Sequence, residues 1–163
     1  VGWGAAHDIG LKGFSDFNKR EAVHQLERFG KVFISSEGNL PTDLESHRLK
    51  LPVHKIHDLM AFSSLIFGES ATMCSEGAVM GVPSVSVDGR GRGWSDGEAR
   101  GYGLVSTFHP GQQASAIKRG TELLENYDRS CWQNLRHKLL AEKVDVTEML
   151  YDISSTLPYS RKK

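Results

Sequence analysis

The chain has 163 residues, the length of one ordinary domain and enough to bury a hydrophobic core. Its 20 basic and 20 acidic side chains balance, so the basic excess of nucleic-acid-binding proteins is missing and no nucleic-acid partner is predicted. The two cysteines lack metal-ligand spacing, and no apolar run approaches the roughly 20 residues of a membrane helix. We therefore expect a cytoplasmic protein without a membrane span.

Strand-like and helix-like segments alternate along the chain. Short runs rich in β-branched and aromatic residues predict strands over 1–6, 31–36, 49–51, 64–68, 83–87 and 104–108. The first helix is capped by Ser15, ends at Gly30 and has an apolar face formed by Phe17, Val23, Leu26 and Phe29. Further helices are predicted over 54–63, over 71–80 with Gly81 as its end, and from 112 to about 156 with a break near Asp128.

Six strands separated by helices predict an α/β domain in which helices cover both faces of a parallel sheet. The expected fold is doubly wound and Rossmann-like, a single domain over 1–163 with a helical region over 110–163 packed on it. Because ligands of such domains bind beyond the carboxyl ends of the strands, the loops of interest are 6–13, 35–39, 69–72 and 88–101. The chain starts without Met, inside an apolar stretch, so we expect a fragment of a two-domain protein.

The strongest local motif runs from Phe67 to Pro83, where a strand, a hydroxyl-rich turn and a helix follow one another. Free N–H groups and the dipole at a helix start favour phosphate, and the hydroxyls of Ser70 and Thr72 add donors. Glu76 lies on the helix face that carries Thr72, where a carboxylate can accept hydrogen bonds from ribose. The alternative is that Ser70 or Thr72 only caps the helix and that Glu76 is a solvated charge.

This segment resembles the nucleotide-diphosphate motif of the GT-B superfamily, which includes UDP-N-acetylglucosamine 2-epimerases and related glycosyltransferases. The resemblance extends over about residues 1–108, through the stretches at 6–13, 32–38 and 56–61, and is strongest to an uncharacterised GT-B-like family of microbial proteins. It implies that Ser70 contacts the diphosphate and that Glu76 contacts the ribose. The family's usual pair of glycines after the serine is Ala71-Thr72 here.

The glycine-rich loops supply the remaining candidates. His7 matches the histidine that reaches the diphosphate in the epimerases, with Asp8 and Gly10 beside it in the same turn. Arg90, in the glycine- and arginine-rich loop after the fifth strand, is a candidate bidentate donor to phosphate. A structural histidine and a solvated surface loop are the alternatives. His54 and His57 lack a third ligand, so no metal site is predicted, and Cys74 is expected to be a small buried residue.

The predicted function is binding of a nucleotide sugar, in particular a UDP-sugar, as the carboxyl-terminal half of a GT-B-type glycosyltransferase or sugar-nucleotide epimerase. The ligand is a nucleoside diphosphate sugar and no cofactor is expected. The expected partner is an amino-terminal domain of the same protein, which in the GT-B arrangement supplies the acceptor site and the catalytic base. No catalytic residue is assigned. The alternatives are a non-catalytic nucleotide-binding module and a regulatory Rossmann-like module.

Overall fold

The structure, a computed structural model, describes residues 2–3, 13–88 and 101–156. Within them, five parallel strands form one sheet, in the spatial order β2-β1-β3-β4-β5. The strands are β1 (Gly2–Trp3), β2 (Ser35–Ser36), β3 (Ile66–Gly68), β4 (Ser84–Val87) and β5 (Val105–Phe108). The prediction of an α/β protein with a parallel sheet is therefore confirmed.

The prediction of a strand over 49–51 is wrong. The chain touches the sheet there through a single parallel bridge between Ile34 and Arg48, on the outer side of β2. Pro52, which has no N–H to donate to a ladder, comes directly after this stretch, and a 3-10 helix (Val53–Lys55) follows. The short apolar run at 49–51 resembles a strand in sequence, but in the structure this part of the chain forms only one bridge to the sheet.

Six α-helices lie entirely within the described part of the chain. They are α1 (Asp16–Glu27), α2 (Ile56–Ala61), α3 (Ala71–Met80), α4 (Gln113–Glu125), α5 (Arg129–Ala141) and α6 (Val146–Thr156). Short 3-10 helices also occur at Thr42–His47 and Pro110–Gln112. The predicted break near Asp128 is confirmed, because Asp128 is the N-cap of α5 and its side chain accepts a hydrogen bond from the Ser130 N–H.

Two hydrophobic cores separate the strands from the helices. Phe67 belongs to the first core, with residues of α1 and α4, whereas Ile66 belongs to the second, with residues of α2, α3 and α5. Since successive side chains of a strand point to opposite faces, the two cores lie on opposite sides of the sheet. Apolar side chains are thus buried on both faces of the sheet. This arrangement agrees with strand sequences that are apolar at nearly every position.

Helix α1 has a narrower apolar face than predicted. Its cap is confirmed, because the Ser15 hydroxyl accepts a hydrogen bond from the Asn18 N–H. Val23 and Leu26 are buried, but Phe17 is 74% exposed, so its place on the apolar face was predicted wrongly. The helix already ends at Glu27, which leaves Phe29 and Gly30 in the turn beyond it, and Gly30 does not adopt a left-handed conformation.

Helix α3 matches its predicted bounds, and its end shows why a glycine is needed there. Gly81 has φ +75°, the left-handed region that glycine enters at little cost. The Gly81 and Val82 N–H groups donate to the carbonyls of Ala78 and Gly77, which satisfies acceptors of the last turn. The sharp reversal directs the chain back into β4.

Helix α6 differs from α1 to α5 in having no buried residue. Its exposed apolar side chains include Val146, Met149, Leu150 and Ile153, which recur at the spacing of one helix face. None of the described helices has both the length and the apolar character needed to cross a membrane.

Candidate functional site

The candidate site is the amino end of α3, where the chain leaves β3 at the carboxyl edge of the sheet. Ser70 is the N-cap, and its hydroxyl accepts a hydrogen bond from the Met73 N–H at 3.3 Å. Ser70 therefore caps the helix. Ala71 and Thr72 are the first two helical residues, whose N–H groups have no carbonyl within the helix to bond. Those two N–H groups and the helix dipole point beyond the edge of the sheet, as an anion site requires.

Glu76 projects from the same helix and meets a side chain of α2. Its carboxylate lies 3.3 Å from the His57 Nε2, and the two side chains are 39% and 58% exposed, respectively. Thr72 and Glu76 are four residues apart and so share one helix face. At 1.5 Å per residue, Glu76 is about 9 Å along the helix from Ser70. A half-exposed carboxylate is therefore available near the helix start, with an imidazole beside it.

The chain that enters α1 is anchored to the end of β3. The Phe14 N–H donates to the Glu69 carboxylate, which lies one residue before Ser70. A Cβ atom at Gly13 would lie 2.2 Å from the Glu69 Oε1, so a larger residue at position 13 would displace the Glu69 carboxylate. Gly13 and Phe14 therefore lie directly beside the turn that contains Ser70.

Gln113, the first residue of α4, connects the same region to β5. Its side-chain oxygen accepts hydrogen bonds from the Ser15 N–H at 3.1 Å and the Asn18 Nδ2 at 2.7 Å. Its nitrogen donates to the carbonyls of Gly13 and Pro110. Sequence reasoning placed Gly13 and Glu69 in the loops of interest without giving either residue a role, and it missed Gln113. Their position directly after strands or before helices is a signal, but nothing in the sequence pairs residues 13 and 113.

Four of the predicted site residues, His7, Asp8, Gly10 and Arg90, lie outside the described residues. The structure places the other four, Ser70, Ala71, Thr72 and Glu76, on one helix, and it adds His57 as a neighbour of Glu76. Among the described residues, no group of three or more His, Cys, Asp or Glu side chains could hold a metal ion.

Cys74 faces away from the candidate site, into the second core. The side chain is buried, as predicted, and its Sγ lies 3.7 Å from the carbonyl oxygen of Val85. Burial raises the pKa of the Cys74 thiol to about 12. The thiol is therefore protonated at neutral pH and is a packing residue.

The two cysteines are expected to differ in their reaction with iodoacetamide at pH 8. The exposed Cys131 should be alkylated in the native protein, whereas Cys74 should stay unmodified, because thiolate is the reacting species. Mass spectrometry should count one label per native chain and two after unfolding in guanidinium chloride. Cys131→Ser is the control and should leave the native chain unlabelled. Equal labelling rates at both cysteines of the native chain would contradict the burial of Cys74.

Comparison of the chain with protein-family models and with curated proteins finds no match in either set.

Proposed function

We propose that this chain is a nucleotide-sugar-binding domain of the GT-B type, the carboxyl-terminal half of a glycosyltransferase-like or sugar-nucleotide epimerase-like protein. The observation that carries the proposal is the β3–Ser70–α3 unit, which combines a free helix start with a half-exposed carboxylate on the same helix. The diphosphate binds at the N–H groups of Ala71 and Thr72, and Glu76 accepts hydrogen bonds from the ribose hydroxyls.

The strand order supports a doubly wound, Rossmann-like domain. The parallel bridge at Arg48 lies outside β2, in the position of a further edge strand. If this bridge is counted as a further strand, the spatial order of the strands is that of a domain built from two mononucleotide-binding halves. Such domains bind ligands at the point in the sheet where the order of the strands reverses. Here the reversal falls between β1 and β3, and the turn with Ser70 follows β3. Residues 7–10, which include His7, Asp8 and Gly10, follow β1 in the sequence.

The loops that follow β1 and β4 carry His7 and Arg90, two side chains that can donate hydrogen bonds to phosphate oxygens. The guanidinium of Arg90 can donate to a phosphate in bidentate fashion. We assign these two side chains to the diphosphate, together with the helix start.

The partner of this domain is the amino-terminal half of the same protein. An exposed apolar helix face of the kind that α6 carries is typical of a surface that another domain covers. In a GT-B arrangement the second half supplies the acceptor site and the catalytic base, so the chain alone binds the nucleotide but does not turn it over.

Titration calorimetry with UDP, together with a product assay on UDP-N-acetylglucosamine, tests both parts. The chain should bind UDP weakly and form neither free UDP nor an epimerised sugar. Uridine is the matched control and should bind more weakly still, because it lacks the phosphates that the helix start contacts. Absence of UDP binding at millimolar ligand would eliminate the nucleotide site. Turnover by the chain alone would show that the catalytic groups lie within it. Binding without turnover, even with the second half present, would favour the non-catalytic module.

A further inference from the structure

A histidine from another segment faces the carboxylate that the proposed site assigns to ribose. The His57 Nε2 lies 3.3 Å from the Glu76 Oε2. Within the described part of the chain, neither side chain forms an ion pair with another group, and the neighbouring Asp58 is paired with Lys55 at 3.0 Å instead. An ionised carboxylate has no proton to donate, so the Nε2 that faces it carries the hydrogen. His57 and Glu76 therefore form an isolated pair between α2 and α3.

The packing of α2 fixes the position of His57. Ile56 and Met60 are four residues apart and lie on one face of this short helix. Met60 is buried in the second core, and Ile56 packs against that core, as does Met73 of α3. His57 lies outside the core, with 58% of its side chain exposed. Because apolar contacts hold α2 in place beside α3, the imidazole stands next to Glu76 without any movement of the backbone.

This contact restrains the Glu76 side chain and leaves acceptor positions free. A glutamate on a helix surface samples several rotamers, and ordering it when a ligand binds costs free energy. The contact with His57 is made to Oε2, so Oε1 and the remaining lone pair of Oε2 stay available. That is enough to accept from the two neighbouring hydroxyls of a ribose. The carboxylate is therefore oriented before the ligand arrives.

We propose that His57 is a positioning residue that holds Glu76 in its ribose-binding orientation, and that the pair selects ribonucleoside diphosphates over their deoxy analogues. The inference rests on the proposed nucleotide site, since a ribose must reach Glu76. A ligand without the 2′ and 3′ hydroxyls gains nothing from an oriented carboxylate. Removal of His57 therefore affects the binding of the hydroxylated ligand alone.

NMR chemical-shift titration with UDP and with 2′,3′-dideoxy-UDP tests this role. The parent chain should bind UDP at least tenfold more tightly than the dideoxy ligand. His57→Ala should weaken UDP binding by about threefold to tenfold and leave dideoxy-UDP binding unchanged. In the Glu76→Ala background, His57→Ala should cause no further loss, because the two residues act as one unit.

Two more variants serve as controls. His57→Gln, whose side-chain amide can also donate to the carboxylate, should recover most of the lost UDP affinity. His54→Ala removes another exposed histidine, three residues earlier, and should bind both ligands like the parent chain. All these variants should melt at the temperature of the parent chain, because the substituted side chains are exposed.

Failure of the proposed function and failure of this inference give different results. If the parent chain binds neither ligand, both are overturned. If it binds UDP and His57→Ala binds UDP equally well, the nucleotide site stands and His57 has no positioning role. Equal binding of the two ligands by the parent chain would refute selection for ribose. Equal losses of both ligands in His57→Ala, or a further loss in the Glu76→Ala background, would show that His57 does not act through the carboxylate.

Discussion

Replacing Phe67 with alanine is expected to lower the free energy of unfolding by about 3–5 kcal/mol, the usual cost of truncating a buried aromatic residue. Phe67 is 1% exposed and lies on the central strand β3, within the first core. Its ring centroid is 5.4 Å from that of Phe14, so truncation also removes an aromatic pair. Chemical denaturation followed by circular dichroism would measure the loss.

Phe62→Ala provides the matched control for this experiment. Phe62 carries the same side chain but is 79% exposed just beyond α2, so its removal should change stability by less than about 0.5 kcal/mol. Similar losses in the two variants would show that Phe67 is not packed as described. Because the loss at Phe67 is a sizeable fraction of an ordinary domain's stability, this variant is expected to be marginally folded at 37 °C.

Glu76→Ala is expected to weaken UDP binding by about tenfold to a hundredfold. Hydrogen bonds to a charged group contribute roughly 1.5–3 kcal/mol, and about 1.4 kcal/mol corresponds to one decade in affinity. The fold should survive, because alanine is a better helix former than glutamate and an exposed ion pair with His57 contributes little. Titration calorimetry gives the affinity, and a thermal melt checks the fold.

Two further variants separate the possible origins of this effect. Glu76→Gln keeps an acceptor oxygen and should lose less affinity than Glu76→Ala. Glu125→Ala removes an exposed carboxylate at the far end of α4 and should leave UDP affinity unchanged. If Glu76→Ala bound UDP as tightly as the parent chain, the carboxylate would be only a solvated partner of His57, and the ribose assignment would be withdrawn.

Local patterns predicted the elements well wherever the determining interaction is itself local. The cap at Ser15, the helix over 71–80 and its end at Gly81 depend on hydrogen bonds and backbone angles within a few residues. The apolar pattern was a less reliable guide to which residues of a helix are buried against the sheet. Phe17 and Val23 are both apolar residues on α1, yet only Val23 faces the core, because the angle at which a helix meets the sheet is not encoded in its periodicity.

The sequence by itself determined the α/β class, the order of most elements and the turn at Ser70 with Glu76 one and a half turns later. These follow from residue type, spacing and backbone chemistry along the chain. Only the tertiary structure decided that Glu76 meets His57, that Glu69 accepts from Phe14, and that Gln113 reaches Gly13. Such contacts join segments far apart in the chain, and they exist only because the parallel strands bring distant residues to one edge of the sheet.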